Sequence, residues 1–347
     1  MNVAVVGLGI GADHVSRFAA VHGVAVVAAA DLEGSRLLGI ARDFGIRHTA
    51  SDYREIVERP DVDAVAVCLP NHLHAAVSAE FLEAGKHVLV EKPMAMTATE
   101  AQRMAETAHR CGRVLAVAMN YRWIFGPDSL YLKQLICDGA LGRIYYIRAQ
   151  SLRRSTGSGE AASWRTARTL SGGGALIDMG VHKLDLAMWF LDDFSPRAAT
   201  ATTATELTLN SDVDDFCVGM IRMGSGAVMT LESTLASHTR GGGIITLMGT
   251  QGGAVLDLSM PAGKRLSLFG RQGHALTEWT PTEIDVSAFP DRSVQEHFVR
   301  CIRQGIVPET SAERGVAMMR LVDAMYRSSE EQREITLEPA VPAEAPT

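Results

Sequence analysis

The amino-acid sequence predicts an α/β fold in two parts: an N-terminal doubly wound parallel sheet, then an α+β domain with a large, mainly antiparallel sheet. Three observations predict this fold class. The chain has 347 residues, more than one ordinary hydrophobic core accommodates. Over residues 1–122, short apolar runs alternate with segments of helical periodicity, as in parallel sheets with crossover helices. From Arg197 onward, threonine-rich alternating runs separated by glycine-containing turns are typical of antiparallel strands.

The first predicted strand runs into a glycine-rich loop. Residues 2–6 are apolar, residues 7–11 read Gly-Leu-Gly-Ile-Gly, and a helical pattern follows. A second apolar run over residues 24–30 ends at Asp31. A strand, a glycine loop, a helix, a strand and an acidic residue about 20 positions past the glycines form the dinucleotide-binding (Rossmann) fingerprint. The sequence therefore predicts a dinucleotide bound at Gly7, Leu8, Gly9, Ile10 and Gly11.

The positions of this fingerprint have distinct expected roles. Gly7 allows a tight turn, and Gly9 lets the backbone approach a pyrophosphate. Ala12 stands where the fingerprint takes Gly or Ala, and Gly11 is able to share that role. The Asp31 carboxylate can accept hydrogen bonds from both ribose hydroxyls and repels a 2′-phosphate, so NAD rather than NADP is the expected cofactor.

Composition excludes several other classes of protein. The chain is 47% apolar but has no run long enough to cross a bilayer, and its N-terminus lacks the pattern of a secretion signal. A formal net charge of −7 gives no basic surface for nucleic acid. The five cysteines are scattered singly, without metal-ligand spacing. We therefore expect a soluble, cytoplasmic protein with no metal site and no nucleic-acid or membrane partner.

The remaining elements are predicted in chain order. In the first domain, taken as residues 1–122, helices are expected over residues 37–44, 53–59, 74–84 and 99–110, and strands over residues 61–69, 86–90 and 114–119. In the second domain, taken as residues 123–338, strands are expected over residues 199–209, 216–223, 227–233, 243–249, 254–258 and 265–269, and helices over residues 129–138, 175–191, 294–304 and 312–330. Residues 339–347, rich in Pro and Ala, are expected to form a disordered tail.

A carboxylate and an imidazole stand together within residues 172–185. Asp178 and His182 are at positions i and i+4, so a helix places them on one face, with Asp185 a turn further on. Histidine titrates in the range that proton transfer near neutral pH requires, and a carboxylate can orient it and stabilise its charged form. A structural or solvated contact is the alternative for such a pair, and the glycine loop upstream favours an acid/base role.

Several motifs, in their order along the chain, resemble the glucose–fructose oxidoreductase/inositol dehydrogenase (Gfo/Idh/MocA) family over residues 1–338. They are residues 70–74, 84–88, 91–93, 120–122 and 139–144 and the glycine-rich Asp–His segment at 172–185. The resemblance implies transfer of a hydride between nicotinamide and a secondary alcohol or ketone of a sugar or cyclitol. It also implies that Lys92 is the active-site lysine and that Asp178 and His182 are the acid/base pair.

The implied chemistry is physically reasonable for these side chains. Hydride loss from a carbinol requires that the hydroxyl proton leave in the same step, so His182 is the natural base and Asp178 orients it. Lys92 can hydrogen-bond the same oxygen and stabilise developing negative charge. The expected catalytic residues are thus Lys92, Asp178 and His182.

Other residues at strand ends and in loops complete the predicted site. The cofactor residues are Gly7, Leu8, Gly9, Ile10, Gly11, Asp31, Leu69, Asn71, His74, Glu91, Lys92 and Asn120, and the substrate residues are Lys92, Tyr121, Arg153, Trp164, Arg165, Asp178 and His182. By resemblance His74 lines the nicotinamide region, and His72 is expected in a loop; a metal role for this His-X-His would need further ligands. For Asn71 and Asn120 the alternative is turn chemistry, and for Trp164 a structural role.

Three functional hypotheses remain open from the sequence. The first is an NAD-dependent dehydrogenase whose partner is a small polyhydroxylated substrate. The second is a glycosidase in which bound NAD transiently oxidises a ring hydroxyl, and the third is a nucleotide-binding regulator without catalysis. The resemblance further implies a homodimer or homotetramer formed through the open face of the C-terminal sheet.

Overall fold

The computed structural model of the chain describes residues 1–155, 163–208 and 211–338. The predicted disordered tail, residues 339–347, lies outside these ranges. The chain forms two compact units. The first comprises Met1–Asn120, Thr169–Ser171 and Asp291–Val316, and the second comprises the described residues of Tyr121–Arg168, Gly172–Pro290 and Ala317–Thr347. The domain limits placed at residues 122 and 338 from the sequence stay predictions.

The described residues form these regular elements. The helices are α1 (Gly11–Ala19), α2 (Gly34–Phe44), α3 (Arg54–Val57), α4 (Asn71–Glu83), α5 (Ala98–Cys111), α6 (Tyr121–Ile124), α7 (Asp128–Cys137), α8 (Arg168–Ser171), α9 (Val181–Leu191), α10 (Val294–Gln304) and α11 (Ala312–Glu331). The strands are β1 (Asn2–Val6), β2 (Ala25–Ala30), β3 (His48–Ala50), β4 (Ala64–Val67), β5 (His87–Val90), β6 (Leu115–Val117), β7 (Ile144–Leu152), β8 (Pro196–Ala204), β9 (Phe216–Met223), β10 (Val228–Thr234), β11 (Gly242–Gly249), β12 (Gly253–Asp257), β13 (Leu266–Gln272), β14 (Ala275–Trp279) and β15 (Ile335–Thr336).

The first unit is built on a six-stranded parallel sheet in the order β3-β2-β1-β4-β5-β6. Apart from Asn2, its central strands β1 and β4 consist of Val and Ala and are buried on both faces, which is why they read as continuous apolar runs. The order reverses direction beside β1, so the ends of β1 and β4 flank the crevice where open α/β sheets bind ligands. The predicted doubly wound sheet is confirmed.

The second unit contains a nine-stranded sheet in the order β14-β13-β12-β11-β7-β10-β9-β8-β15. The β7–β10 pair is parallel, and the other pairs are antiparallel. Met325 of α11 packs against Gly219 of β9 on the face that the helices cover. The opposite face exposes Val218, Met220 and Met248. The mainly antiparallel sheet predicted from the alternating runs is confirmed.

Three local predictions were wrong. Helix α4 begins at Asn71 and not at residue 74, so His72 lies in its first turn and not in a loop. Pro70 is in the extended conformation that precedes a helix, and its carbonyl oxygen accepts the Leu73 N–H at 2.9 Å. Second, residues 175–191 are not one α-helix but a π-helical segment, Ala175–Gly180, followed by α9. Third, strands β3, β7, β14 and β15 were missed.

Within the described residues, no helix combines the length and the apolar character needed to cross a membrane.

Candidate active site

The predicted site residues are divided between the two units. In the first unit, the glycine loop shows three different steric requirements. Gly7 has a φ of +83°, and a Cβ there would lie 2.4 Å from the Cys68 carbonyl oxygen. A Cβ on Gly11 would lie 2.9 Å from Val5, whereas one on Gly9 would have no described atom within 4 Å. Gly7 therefore makes the turn and Gly9 leaves the backbone open. Gly11, and not Ala12, provides the close contact between helix and sheet.

Asp31 lies at the end of β2 with its carboxylate turned toward this loop. Its Oδ2 accepts the Leu8 N–H at 2.5 Å, and its Oδ1 accepts the Glu33 N–H at 2.7 Å. The Arg36 guanidinium donates to it at 3.3–3.4 Å and also pairs with Glu33. The carboxylate is thus fixed beside the loop, as a ribose-binding acid must be.

His74 connects two backbone segments at the carboxyl ends of β4 and β5. The side chain is fully buried, and its two ring nitrogens lie 2.7 Å from the carbonyl oxygens of Leu69 and Pro93. Burial lowers the pKa of His74, although the two carbonyl contacts oppose that shift. Because both ring nitrogens face the backbone, His74 acts on its surroundings by fixing Leu69 and the segment after Lys92.

A buried His–Glu pair lies beneath the glycine loop. The Nε2 of His14, on α1, is 2.9 Å from Oε1 of Glu91, and Oε2 of Glu91 accepts the backbone N–H of Lys92 at 3.0 Å. Burial alone would lower the pKa of His14 and raise that of Glu91, but their contacts, and that of His14 with Cys68, outweigh it. The pKa of His14 is raised well above its usual value and that of Glu91 is lowered. The pair is therefore ionic, and it links α1 to the backbone of the predicted catalytic lysine.

Two asparagines at the edge of this unit differ in their bonding. Asn71 Nδ2 donates to the Ser171 carbonyl oxygen at 2.7 Å. The Oδ1 of Asn120 is buried and has no hydrogen-bond partner among the described residues. Buried polar atoms are normally paired, so such an orphan acceptor fits a ligand with N–H or O–H donors. A nicotinamide nucleotide, with its amide and ribose hydroxyls, is such a ligand.

In the second unit, Asp214 holds the triple-glycine turn that precedes the Asp–His segment. Its carboxylate accepts the Gly174 N–H at 2.8 Å, the Leu176 N–H at 2.9 Å and the Tyr326 hydroxyl at 2.8 Å. A Cβ on Gly174 would lie 1.9 Å from the Asp214 carbonyl oxygen, and one on Gly173 would lie 2.0 Å from the Tyr326 hydroxyl. The glycines are required because the turn lies directly against Asp214 and Tyr326.

The π-helical segment carries Asp178, and α9 begins one residue before His182. The Asp178 N–H donates to the Gly174 carbonyl oxygen at 2.8 Å. A π-turn inside a helix commonly marks a functional site, because the inserted residue turns the side chains around it. The i, i+4 spacing of the pair therefore spans a π-to-α junction and not a regular α-helical face.

The His182 imidazole stacks on the phenol ring of Tyr121. The ring centroids are 4.1 Å apart and the planes differ by 7°. Burial raises the pKa of Tyr121, and the negative charge of Asp178 raises it further. Tyr121, predicted as a substrate residue, is therefore in direct contact with the predicted base and under the electrostatic influence of its carboxylate partner.

A buried ion pair holds Tyr121 in place. Arg122 is fully buried, and its Nη2 and Nε donate to the two carboxylate oxygens of Asp185 at 2.7 and 3.2 Å. Its guanidinium also lies over the Trp189 ring, 5.4 Å from the centroid. The pair joins α6 to α9, the helices that carry Tyr121 and His182.

The remaining predicted substrate residues lie elsewhere in the second unit. Trp164 and Arg165 lie in a short 3₁₀-helix, and the Arg165 guanidinium covers the Trp164 ring at 4.4 Å. The backbone N–H of Arg153 donates to Thr234. Residues 156–162, which lie between Arg153 and Trp164 in the sequence, are outside the described residues. No group of three His, Cys, Asp or Glu side chains with metal-binding geometry is found in the described ranges.

Sequence reasoning missed Arg122, Asp214 and His14 as parts of this arrangement. The signals for Arg122 and Asp214 are partners distant in sequence, which no local pattern reveals. His14 alone had a local signal, since it follows the last glycine of the loop on the buried side of α1.

A parallel dinucleotide-binding sheet joined to a large antiparallel sheet defines the class of NAD-binding, two-domain oxidoreductases. The chain belongs to the Gfo/Idh/MocA family. Residues 1–119 match "Oxidoreductase family, NAD-binding Rossmann fold", and residues 133–337 match "Oxidoreductase family, C-terminal alpha/beta domain". The predictions of family, NAD-binding domain and oxidoreductase class are confirmed.

Individual relatives agree with this assignment. The D-glucoside 3-dehydrogenase of Escherichia coli strain K12 is 30% identical over 347 residues, covering 95% of each chain. The levoglucosan dehydrogenase of Pseudarthrobacter phenanthrenivorans is 35% identical over 239 residues, 62% of this chain and 61% of that protein. A solved levoglucosan dehydrogenase in complex with NADH and levoglucosan superposes with a TM-score of 0.86 at 27% identity, covering 97% of this chain and 99% of that one.

Proposed function

We propose that the protein is an NAD-dependent dehydrogenase that oxidises a secondary alcohol of a sugar, glycoside or cyclitol, or reduces the corresponding ketone. The observation that carries the proposal is the His182 imidazole, 8% exposed and stacked on Tyr121, in a family of NAD-binding oxidoreductases. A buried, oriented imidazole on a helix is suited to move one proton near neutral pH.

His182 is proposed to accept the hydroxyl proton of the substrate. Asp178 supports the imidazolium that forms, and Lys92 donates a hydrogen bond to the reacting oxygen, where negative charge develops. When bound, NAD supplies the acceptor for the hydride. The backbone of Lys92 is held by Glu91, which is itself held by His14.

The first unit supplies the proposed cofactor contacts. Gly7, Leu8, Gly9, Ile10 and Gly11 are proposed to form the pyrophosphate loop, and Asp31 to accept ribose hydroxyls. The Gly7 and Leu8 N–H groups are bonded to Ala30 and Asp31, so the open backbone at Gly9 is the proposed point of approach. Asn120 offers its unpaired amide oxygen. We further propose that Leu69, Asn71, Glu91 and Lys92 line the cofactor, with His74 holding Leu69 and Pro93 in position.

Substrate recognition is proposed to involve Tyr121, Trp164 and Arg165, with Arg153 at the edge. An aromatic face and a guanidinium fork suit a polyhydroxylated ring. Levoglucosan and D-glucosides, which appear in the names of relatives, are the first substrates to test, followed by myo-inositol.

Absorbance of NADH at a wavelength where NAD is transparent tests the proposal. Purified protein with NAD is expected to form NADH with at least one glucoside, anhydrosugar or cyclitol. Release of nitrophenol from aryl glycosides without net NADH would instead identify an NAD-dependent glycosidase. Tight NAD binding with neither activity would identify a non-catalytic binding protein.

The open face of the nine-stranded sheet is proposed as the interface of a homodimer or homotetramer. Val218, Met220 and Met248 are 37–41% exposed there, and the strands between them carry Tyr146 and Thr230 together with Arg148 and Glu232 on the same face. Pairing of two copies would cover these apolar side chains. The predicted cytoplasmic location stays a prediction.

A further inference from the structure

Lys183 is a buried lysine adjacent in sequence to His182. The residue is 3% exposed. Its ammonium lies 4.4 Å from the centroid of the Tyr121 ring and 5.7 Å from the centroid of the Phe125 ring. The His182 imidazole stacks on the same Tyr121 ring at 4.1 Å. An ammonium and an imidazole therefore contact one aromatic ring.

The surroundings of Lys183 do not neutralise its charge. Within the described residues, burial is the influence that moves its pKa, which is lowered to about 7. A Cβ on Gly243 of β11 would lie 2.9 Å from Nζ and 3.2 Å from Cε, so a glycine makes room for the ammonium. Burying a cation without a counter-charge is costly, and a methionine would fill the same space without that cost. The Lys183 ammonium next to His182 therefore lowers the stability of the fold.

We propose that Lys183 is a positioning residue for His182: its ammonium, held against Tyr121, disfavours the imidazolium and keeps His182 ready to accept a proton. The inference rests on the proposed role of His182 as the base. Two like charges in a buried environment raise each other's free energy, so each group holds its proton less tightly when the other is charged.

Other charged groups near the Tyr121 ring either favour the His182 imidazolium or are already paired. Asp178 favours the imidazolium, and its charge also raises the pKa of Tyr121. Asp185 is bonded to Arg122. The Arg265 guanidinium lies 5.3 Å from the centroid of the Phe125 ring, and its Nη1 is 3.9 Å from Oδ2 of Asp128. On this proposal, the protonation of His182 responds mainly to the opposing charges of Asp178 and Lys183.

The pH dependence of kcat/KM for NAD-dependent oxidation tests this role. Lys183→Met removes the charge and keeps an unbranched side chain, so the acid limb is expected to move to higher pH by about 0.5–1 unit. Lys183→Gln, a second neutral replacement, is expected to move the limb in the same direction. Asp178→Asn is expected to move it to lower pH. Lys264→Met, which removes an exposed lysine from the same unit, is the control and is expected to leave the limb in place.

A second measurement does not depend on activity. Titration of the His182 imidazole by NMR, assigned through the signal lost in His182→Gln, is expected to show the same upward shift in Lys183→Met, or in Lys183→Gln if the first variant does not fold. A shift below about 0.2 unit in the folded variant overturns the inference. A clear shift in a protein that oxidises no polyol would support the role of Lys183 on the imidazole while rejecting the proposed dehydrogenase.

Discussion

The guanidinium of Arg122 and the carboxylate of Asp185, 63 positions apart in the sequence, form two hydrogen bonds with each other. The ion pair is almost completely buried. It joins the short helix α6 to α9 and so holds the Tyr121 ring over His182. A buried pair of this kind contributes less through its own attraction than through the penalty that follows when one partner is lost.

We therefore expect Asp185→Asn to lower the free energy of unfolding by about 3–5 kcal/mol, because a buried guanidinium loses its counter-charge. Chemical denaturation monitored by circular dichroism measures this change. Glu330→Gln, which breaks the exposed Arg168–Glu330 pair at 3.1 Å, is the control. That variant is expected to lose less than about 1 kcal/mol. Equal losses in the two variants would contradict the importance assigned to burial.

Lys183 predicts a specific dependence of stability on pH. Its pKa is lowered from an ordinary 10.5 to about 7 by burial, so between these values the unfolded chain holds a proton that the folded protein has released. Stability from this group therefore rises with pH across that window and falls as pH decreases toward 7. Relative to the wild type, Lys183→Met is expected to be more stable by roughly 1–3 kcal/mol at pH 6.5.

Thermal or urea unfolding between pH 6.5 and 9.5 measures this difference between the two proteins. The advantage of Lys183→Met is expected to shrink as pH rises toward 10.5, because the lysine of the unfolded wild-type chain then loses its proton at less free-energy cost. Lys264→Met, at an exposed position, serves as the control for removal of a positive charge. A constant difference across the pH range would contradict the titration assigned to Lys183.

Asp31 predicts the choice of cofactor. With its carboxylate fixed by Leu8 and Glu33, NAD is expected to be used at least tenfold more efficiently than NADP, a difference of about 1.4 kcal/mol. Asp31→Ser is expected to narrow that gap, because it removes the repulsion of the 2′-phosphate and leaves Arg36 to attract it. The measurement is kcat/KM for each cofactor, and equal values in the wild type would reject the assignment.

The open sheet face predicts the effect of a surface charge on assembly. If two copies pair through this face, Met220→Asp is expected to reduce the molar mass in solution, since a twofold interface brings the new charges of both copies into it. Light scattering after size-exclusion chromatography measures the mass. Val307→Asp, at a position 77% exposed in the first unit, is the control. A wild-type monomer, or an unchanged mass in Met220→Asp, would reject the interface.

The sequence predicted those features whose signals are local. The apolar strands, the glycine loop and Asp31 lie within one strand–helix–strand unit, so spacing alone identifies them. The contacts that shape the candidate site join distant residues: His14 and Glu91 are 77 positions apart, and Asp214 and Tyr326 are 112 apart. The π-helical segment was missed because an i, i+4 pattern is compatible with an α-helix and with a π-to-α junction.

The most direct test of the account is the turnover of His182→Ala compared with its affinity for NAD. If His182 is the base, turnover is expected to fall by roughly 100-fold or more, and the rise of the oxidative rate with pH is expected to disappear. NADH binding, measured by fluorescence titration, is expected to stay near the wild-type value. His109→Ala, which removes an exposed histidine paired with Glu313, is expected to behave as the wild type. Near-normal turnover of His182→Ala with an unchanged pH profile would contradict the mechanism.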